Sequence, residues 1–335
     1  MPLVDGILNA PSLSESSKTQ YLEKLATLTR LLGKPVDYLV DNPDHVIPVI
    51  SRRYPCPLTQ RAFVAAIKAL FHYNDLQAPK GEAYRKYTDH QTKMSQTITD
   101  RYMAAEPSEK ERRNWVPWPD VLAKERELAA REYASDDHLL LAMYCLIEPL
   151  RQDYGALKIL VDKEPAEGAM GNYLCVARDA SWGKLVLNRY KTAKKYGTFT
   201  RALPPELLGI IKASLIAHPR AYLFVDDSGH PYHKSNSFQK MSNRTLHRIF
   251  GKNFTVSLMR HSHISSIDFN QCTPGELFQK SRNMAHSISM QQLYRRKVEP
   301  LPDMTVTKVP ESDGAPHGEG VSYGSNGERY LTLSV

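Results

Sequence analysis

Apolar residues recur at helical spacing along the first 80 positions of the chain. The first stripe, which stops at a glycine, consists of Tyr21, Leu25, Leu28 and Leu32. The last stripe, which begins after residue 59, consists of Phe63, Ile67, Leu70 and Phe71. Two shorter apolar stretches, 36–40 and 46–54, lie between them and are each followed by a proline. This pattern predicts a compact, all-helical domain over residues 1–80.

The apolar pattern becomes sparse over residues 81–114. A narrow stripe on an otherwise polar helix is formed by Tyr87, Met94, Ile98 and Tyr102. The charged segment 104–114, which contains a proline, then interrupts it. We therefore expect a linker helix and a hinge over residues 81–114.

A second pattern begins at Trp115. A polar helix over 120–134 is predicted to precede an apolar helix over 139–150. Two β-rich runs, 172–178 and 184–191, are joined by a hairpin turn, and a third run covers 198–203. The chain is then mainly helical. The expected fold is α+β and mostly helical, with a small antiparallel sheet inside a domain over 115–298 and a Gly/Pro-rich tail over 299–335.

Length and composition limit the classes of protein that fit. With 335 residues, of which 41% are hydrophobic and 24% charged, the chain can form two cores and is not typical of a disordered protein. Its longest apolar stretch, 139–147, is shorter than the roughly 18–20 residues of a membrane-spanning helix. The first residues show no signal-peptide pattern and the four cysteines are scattered, so we expect an intracellular protein without a membrane partner.

The net charge of +8 is distributed unevenly. Residues 299–335 hold six acids and two bases, so the preceding 298 residues carry a net charge of +12. Two stretches supply the excess: residues 178–201 have seven bases and one acid, and residues 230–263 have six bases and no acid. Clusters of this kind are typical of proteins that bind a polyanion, and an ordinary solvated basic surface is the alternative.

Several catalytic motifs are absent from the sequence. It has no Gly-rich phosphate loop, no His-Glu-x-x-His and no Gly-x-Ser-x-Gly. The absence of these motifs argues against nucleotide hydrolysis, zinc proteolysis and acyl transfer that depend on them. The group that most resembles a metal site is His230, His233, His261 and His263. Because no cysteine or carboxylate pair accompanies them, we interpret these histidines as polar residues in loops or on helices.

Five residues that suit phosphodiester chemistry occur in a characteristic order. They are Arg151 after the apolar helix, Lys191 near a predicted strand turn, Arg260, His286 and Tyr294. In this order they resemble the catalytic domain of the tyrosine recombinases, the phage-integrase family. Members of that family have an arginine after an apolar helix, a β-hairpin lysine, a His-x-x-Arg-His box, a Leu-Gly-His-Ser-like box and a nucleophilic tyrosine. The resemblance covers residues 115–298, and the helical module before them corresponds to the family's core-binding domain.

The resemblance implies a role for each matching residue. Tyr294 would attack the scissile phosphorus and form a 3′-phosphotyrosyl link, while Arg151 and Arg260 hold the non-bridging oxygens. His286 would add a hydrogen bond, and Lys191 would protonate the departing 5′-oxygen, with Lys194 as a rival for that role. Ser257 and His261 are further candidate catalytic residues, in the second box. The expected DNA contacts from the two basic stretches are Arg189, Lys195, Arg201, Lys234, Arg244 and Arg248.

The sequence departs from the family pattern at two points. Ser257 stands where the second box usually begins with histidine, and a serine does not titrate near neutral pH. The spacing from His286 to Tyr294 is eight residues, one fewer than is common in the family. A shorter connection either shifts the tyrosine relative to the phosphate or tightens a turn.

The resemblance also implies partners and alternatives. The expected enzyme is a site-specific DNA recombinase or integrase that needs no metal, ATP or other cofactor and acts on double-stranded DNA as a homo-tetramer, with a monomer or dimer in the free state. The sequence as a whole resembles the recombinases of large eukaryotic DNA viruses and their mobile elements. We therefore expect the protein to be located with DNA, in a nucleus or viral factory, or packaged in a virion. A type IB topoisomerase and a catalytically silent DNA-binding protein are the alternatives.

Overall fold

The stripes of the N-terminal region fold into packed helices in a computed structural model, which describes residues 3–298 and the strands Val321–Tyr323 and Arg329–Leu331. Ser14 caps the longest early helix by accepting a hydrogen bond from the Ser17 amide, and Gly33 ends it with φ +62°. The helices are α1 (Val4–Leu8), α2 (Glu15–Leu32), α3 (Val36–Asp41), α4 (Pro43–Arg53), α5 (Pro57–His72) and α6 (Gly81–Met103).

These helices enclose a hydrophobic core of their own. Its fully buried side chains come mainly from α2 to α5 and include the apolar positions Leu25, Leu28, Ile67 and Leu70. Tyr87 of α6 joins this core, and its hydroxyl donates a hydrogen bond to the Leu39 carbonyl of α3. The first half of α6 therefore packs as part of the N-terminal helical group.

The remaining helices surround a four-stranded sheet. Proline occupies the first turn of several of them, where its missing N–H is no loss. They are α7 (Glu109–Arg113), α8 (Trp118–Arg131), α9 (Asp136–Cys145), α10 (Ala193–Tyr196), α11 (Pro205–Ala217), α12 (Ser235–Phe250), α13 (Val256–Ser265), α14 (Pro274–Asn283) and α15 (Ile288–Tyr294). The strands are β1 (Leu157–Val161), β2 (Asn172–Val176), β3 (Gly183–Leu187) and β4 (Phe199–Ala202).

The sheet is mixed, which corrects the expectation of an antiparallel one. Its order is β1-β2-β3-β4; β2, β3 and β4 pair antiparallel as expected, but β1 runs parallel to β2. β1 was not predicted from the sequence, because parallel strands are usually joined by a crossover helix and only residues 162–171 separate β1 from β2. The mostly helical α+β fold class itself is confirmed.

Several predicted boundaries differ from the observed ones. The apolar helix expected over 139–150 ends at Cys145, because Pro149 disfavours helical geometry in the residue before it. The run expected over 184–191 leaves the sheet after Leu187, so Lys191 lies in the connection between β3 and β4. The charged segment 104–114 contains the short helix α7, which a capping box from Ser108 stabilises.

A second core occupies the region from residue 116 to residue 285. It is formed by α9, by the inner face of the sheet and by the helices packed on it, with Leu141, Tyr144, Leu185, Leu207 and Phe238 among its buried members. The chain divides into two compact units, 1–298 and 299–335, so the predicted boundaries at 80 and 114 stay predictions.

In the second unit, the two strands Val321–Tyr323 and Arg329–Leu331, β5 and β6, pair antiparallel. The other residues of the predicted tail lie outside the described residues. Within the described part of the chain, no helix is long and apolar enough to cross a lipid bilayer.

Gly183 offers a test of the packing between the sheet and α11. A Cβ added at this position would overlap Leu208 Cδ2 and approach the Cys175 carbonyl oxygen to 3.3 Å. We expect Gly183→Ala to lower the free energy of unfolding by about 1–3 kcal/mol through overpacking, measured by urea denaturation. Gly81→Ala is the control, because nothing lies within 4 Å of its added Cβ. Equal stability of the two variants would contradict this packing.

Candidate active site

Arg260 lies at the centre of the candidate site and is 1% exposed. It is carried by α13, whose first turn Thr255 caps by accepting a hydrogen bond from the Leu258 amide. Its Nη1 donates to the Pro149 carbonyl, and its Nη2 donates to the Met284 carbonyl at 3.4 Å. One buried guanidinium therefore joins the loop before Arg151 to the loop before His286.

The Ala285 carbonyl is a second junction beside Arg260. It accepts hydrogen bonds from Arg151 Nη1 and from Thr192 Oγ1, both at 3.1 Å. Ala285 has φ +53°, a left-handed conformation that costs a non-glycine residue about 1–2 kcal/mol. The strained residue directs its carbonyl towards the arginine and the β3–β4 connection, so both are fixed to the loop that carries His286.

His286 is 2% exposed and held in one tautomer. Its Nδ1 accepts a hydrogen bond from Arg260 Nη2 at 3.3 Å, which leaves the proton on Nε2. Burial, together with the charges of Arg260 and Arg151, lowers the pKa of His286 to about 3. Nε2 is buried and has no hydrogen-bond partner among the described residues. The ring is therefore a neutral donor whose Nε2–H makes no hydrogen bond within the described residues.

Tyr294 is the last residue of α15 and lies against this cluster. Its ring centroid is 5.3 Å from the Arg260 guanidinium carbon and 5.6 Å from the His286 ring centroid. The ring stacks on His261 at 4.5 Å with an interplanar angle of 22°. His261 Nδ1 donates to the Tyr294 carbonyl oxygen at 2.6 Å. The structure thus brings Arg151, Arg260, His286 and Tyr294 together, with His261 supporting the tyrosine.

Positive charge concentrates in this cluster. Burial lowers the pKa of the Arg260 guanidinium, the nearby Tyr294 raises it, and the charge of Arg151 lowers it further. A carboxyl group that acts on both arginines belongs to Asp153, whose Oδ2 is buried without a hydrogen-bond partner among the described residues. Burial raises the pKa of Asp153 to about 6, although Arg151 and Arg260 act in the opposite direction. An anion bound here would offset the charge of both arginines.

The remaining chemical candidates are exposed. Lys191 and Lys194 lie in the β3–β4 connection, where neither ammonium has a hydrogen bond or ion pair within the described residues. Thr192, between them, is anchored to the Ala285 carbonyl, so the connection lies beside the cluster. Ser257 is exposed in the first turn of α13, one turn before Arg260.

The expected DNA-contacting residues divide into two groups. Two of them form ion pairs within the protein: Arg248 pairs with Asp137, and Arg201 pairs with Glu148. Arg201 is part-buried and also donates to the Asn283 carbonyl at 3.3 Å, so it holds the fold together rather than offering a free charge. The exposed members that form no ion pair within the described residues are Arg189, Lys195, Lys234 and Arg244.

Glu148 is a supporting residue that the sequence analysis missed. Its carboxylate pairs with Arg201 of β4 and accepts a hydrogen bond from Asn283 Nδ2 at 3.0 Å. This contact fixes the end of α14 to the loop that leads to Arg151. No local motif marks Glu148, because its partners are 53 and 135 residues away along the chain.

The four histidines that suggested a metal site do not converge. His230 is exposed and faces Asp226, while His261 contacts Tyr294. His263 packs edge-on against Trp118, and burial lowers its pKa to about 4. Among the described residues, no group of three or more His, Cys, Asp and Glu side chains is arranged to hold a metal ion.

Comparisons with known proteins give little direct information on function. No protein-family model matches the chain, and no curated protein matches it. The chain is similar to the crystal structure of XerA recombinase, with 13% sequence identity and a TM-score of 0.38, over 87% of this chain and 92% of that one. A similarity of this size does not establish membership in a family, so function is inferred below from the side chains.

Asp153 gives the site a characteristic pH dependence. Its pKa is higher in the folded chain, about 6, than its ordinary value of 3.8, so the folded state loses stability as the pH rises through this window. Asp153→Asn cannot titrate. We expect the stability of this variant relative to wild type to increase by on the order of 2–3 kcal/mol between pH 4 and pH 7, measured by urea denaturation. A stability difference that does not vary with pH would contradict the buried carboxyl.

Proposed function

We propose that this protein is a tyrosine-type DNA strand transferase, a site-specific recombinase or integrase that cuts and rejoins DNA through a 3′-phosphotyrosyl intermediate. The observation that carries the proposal is the position of Tyr294, with its ring 5.3 Å from the Arg260 guanidinium and 5.6 Å from the His286 ring. A phenol beside a buried arginine and a neutral histidine donor suits attack on a phosphodiester. The order of these residues along the chain, which resembles that of the tyrosine recombinases, supports the same proposal.

The first chemical step is a transesterification. Tyr294 Oη loses its proton to solvent and bonds to the scissile phosphorus, while the bond from phosphorus to the 5′-oxygen breaks. The guanidinium groups of Arg151 and Arg260 neutralise the charge that develops on the non-bridging oxygens, and His286 Nε2–H donates a hydrogen bond to one of them. Rejoining reverses the step with a 5′-hydroxyl of another strand, so the energy of the phosphodiester is retained.

The leaving oxygen needs a proton, and an exposed lysine in the β3–β4 connection can supply it. Lys191 is assigned this role because it directly precedes Thr192, which is fixed to the Ala285 carbonyl. Lys194 lies in α10, in the same connection. We assign Ser257 no proton-transfer role, because a hydroxyl of ordinary pKa does not titrate near neutral pH.

The substrate is double-stranded DNA, held through its phosphates. The exposed bases Arg189, Lys195, Lys234 and Arg244 come from the two basic stretches, and counterion release would make the affinity depend steeply on salt. Exchange of both strands between two duplexes requires four tyrosines. A homo-tetramer on DNA is therefore the proposed active assembly.

Covalent trapping tests the proposal directly. The probe is a pool of fluorescent duplexes with a randomised core, each nicked so that cleavage releases a short fragment and prevents rejoining. We expect a denaturation-resistant protein–DNA adduct that maps to Tyr294, forms in EDTA without ATP and is lost in Tyr294→Phe. Arg260→Ala should slow its formation by about 10²–10³-fold, since it removes one stabiliser of the developing charge.

Tyr133→Phe is the matched control, because this tyrosine is exposed and lies outside the cluster. It should form the adduct at the wild-type rate. If wild-type protein binds the duplexes but forms no adduct, the chain is a silent DNA-binding protein. An adduct accompanied by plasmid relaxation without strand exchange would assign a type IB topoisomerase instead.

The general acid can be identified with a modified leaving group. A 5′-bridging sulfur leaves as a thiolate, which needs no protonation because thiol pKa values lie near 8.5. We expect Lys191→Ala to slow cleavage of ordinary DNA by about 10²–10⁴-fold and to regain the wild-type rate on the sulfur-substituted duplex. Rescue of Lys194→Ala alone would transfer the role to that residue. Rescue of neither variant would exclude a lysine acid.

A further inference from the structure

We propose that Glu111 is a positioning residue for Tyr294, because it binds Arg296, whose guanidinium holds the backbone on both sides of the tyrosine. The inference rests on the proposed function, in which Tyr294 is the nucleophile. Glu111 belongs to α7, in the segment between the N-terminal helices and the region that holds the candidate site. Glu111 contacts neither the cluster of Arg151, Arg260 and His286 nor the phenol of Tyr294.

Arg296 is the first of the two connections to Tyr294. Its side chain is 1% exposed, and its Nε donates to Glu111 Oε1 at 3.1 Å. Its Nη1 donates to the carbonyl oxygens of Leu293 and Arg295, at 2.9 and 2.7 Å. One guanidinium therefore binds the backbone immediately before and immediately after Tyr294 while Glu111 holds it from the other side.

His261 is the second connection. Its Nδ1 donates to the Tyr294 carbonyl oxygen, its ring stacks on the phenol, and its Nε2 is 3.9 Å from Glu111 Oε1. Burial and the charge of Arg296 lower the pKa of His261 to about 4, so the ring is neutral at physiological pH. With the proton on Nδ1, Nε2 has none to donate to the carboxylate, so His261 supports Tyr294 directly and Glu111 acts on the tyrosine through Arg296.

Glu111 is itself rigidly placed. Its Oε2 accepts a hydrogen bond from the Ser108 amide at 2.6 Å, and Ser108 Oγ accepts one from the Glu111 amide, which together form the capping box of α7. Burial alone would raise the pKa of Glu111, but the Ser108 hydrogen bonds and the charge of Arg296 hold it below its ordinary value. The carboxylate is ionised, and both its oxygens are in use.

Two further contacts connect the same two segments. The Arg296 guanidinium lies 5.0 Å from the centroid of the Tyr102 ring, at the end of α6. The Lys297 amide donates to the Ala105 carbonyl at 2.8 Å. A movement of residues 102–111 is therefore transmitted to the backbone that carries Tyr294. This gives the segment linking the N-terminal helices to the site a physical means of controlling the nucleophile.

Glu111→Gln tests the proposal, with Glu109→Gln as the matched control. The control residue lies in the same helix, but its partner Arg113 and Glu109 itself are both 75% exposed. We measure the rate of adduct formation on the nicked duplexes as a function of DNA concentration, below the melting transition of every variant. We expect Glu111→Gln to lower the rate at saturating DNA by about 10- to 100-fold, with the half-saturating DNA concentration unchanged within twofold.

The control should match wild type in both quantities. Arg296→Gln should show the same rate loss, and the double variant should be no slower than the slower single one, because both changes remove the same ion pair. If Glu111→Gln does not fold, Arg296→Lys replaces it. This variant keeps the charge but loses the donors to Leu293 and Arg295, so the same loss of rate at unchanged half-saturation is expected.

The outcomes separate this inference from the proposed function. Absence of an adduct with wild-type protein would refute the proposed function. An active wild type with Glu111→Gln equal to Glu109→Gln would overturn the positioning role alone. A loss confined to DNA affinity, with the saturated rate preserved, would also overturn it, because it would show that Glu111 supports the DNA-binding surface rather than Tyr294.

Discussion

The candidate site depends on one buried charge, the guanidinium of Arg260. A cation removed from water is costly unless its donors are satisfied. Arg260 Nη1 and Nη2 donate to the Pro149 and Met284 carbonyls and to His286 Nδ1, while Nε is buried without a hydrogen-bond partner among the described residues. These acceptors lie 111, 24 and 26 residues away along the chain. Burying this side chain therefore requires two distant loops to meet over α13, and this brings the loop before Arg151 close to the loop before His286.

The same interaction determines the electrostatics of the site. The charge of Arg151 lowers the pKa of Arg260, and Asp153 is a nearby carboxyl group whose Oδ2 is buried without a hydrogen-bond partner among the described residues. Within the described part of the chain, the cluster keeps donors that make no hydrogen bond, including His286 Nε2 and Arg260 Nε. A bound phosphate would satisfy those donors and separate the arginine charges from each other. Shifted pKa values such as those of His286 and Asp153 cluster at functional sites.

Local patterns in the sequence predicted the helices well but predicted tertiary contacts poorly. The stripes from Tyr21 to Leu32 and from Phe63 to Phe71 carry their signal within a few residues, and they appear in the structure as α2 and α5. By contrast, β1 pairs parallel with β2 without a crossover helix. Its short apolar run lacks the signal that normally identifies such a strand.

In the candidate site too, the sequence indicated some residues and not others. Arg151, Arg260, His286 and Tyr294 were found because their order resembles a known family. The residues that hold them, among them Glu148, Thr192 and Glu111, carry no such signal. Their importance comes from contacts across the fold. A single sequence without structure gives no reason to choose Glu111 over the exposed Glu109 two positions earlier.

The two departures from the family pattern have different structural consequences. The short spacing between His286 and Tyr294 is taken up by the seven-residue helix α15, which Ser287 caps. Because Tyr294 ends this helix with its ring beside His286, the shorter connection tightens the turn and leaves the phenol at the cluster. Ser257 differs, since it is exposed and outside the hydrogen-bond network around Arg260. Hence the residue at position 257, rather than the placement of Tyr294, is where this chain differs structurally from the pattern that its sequence resembles.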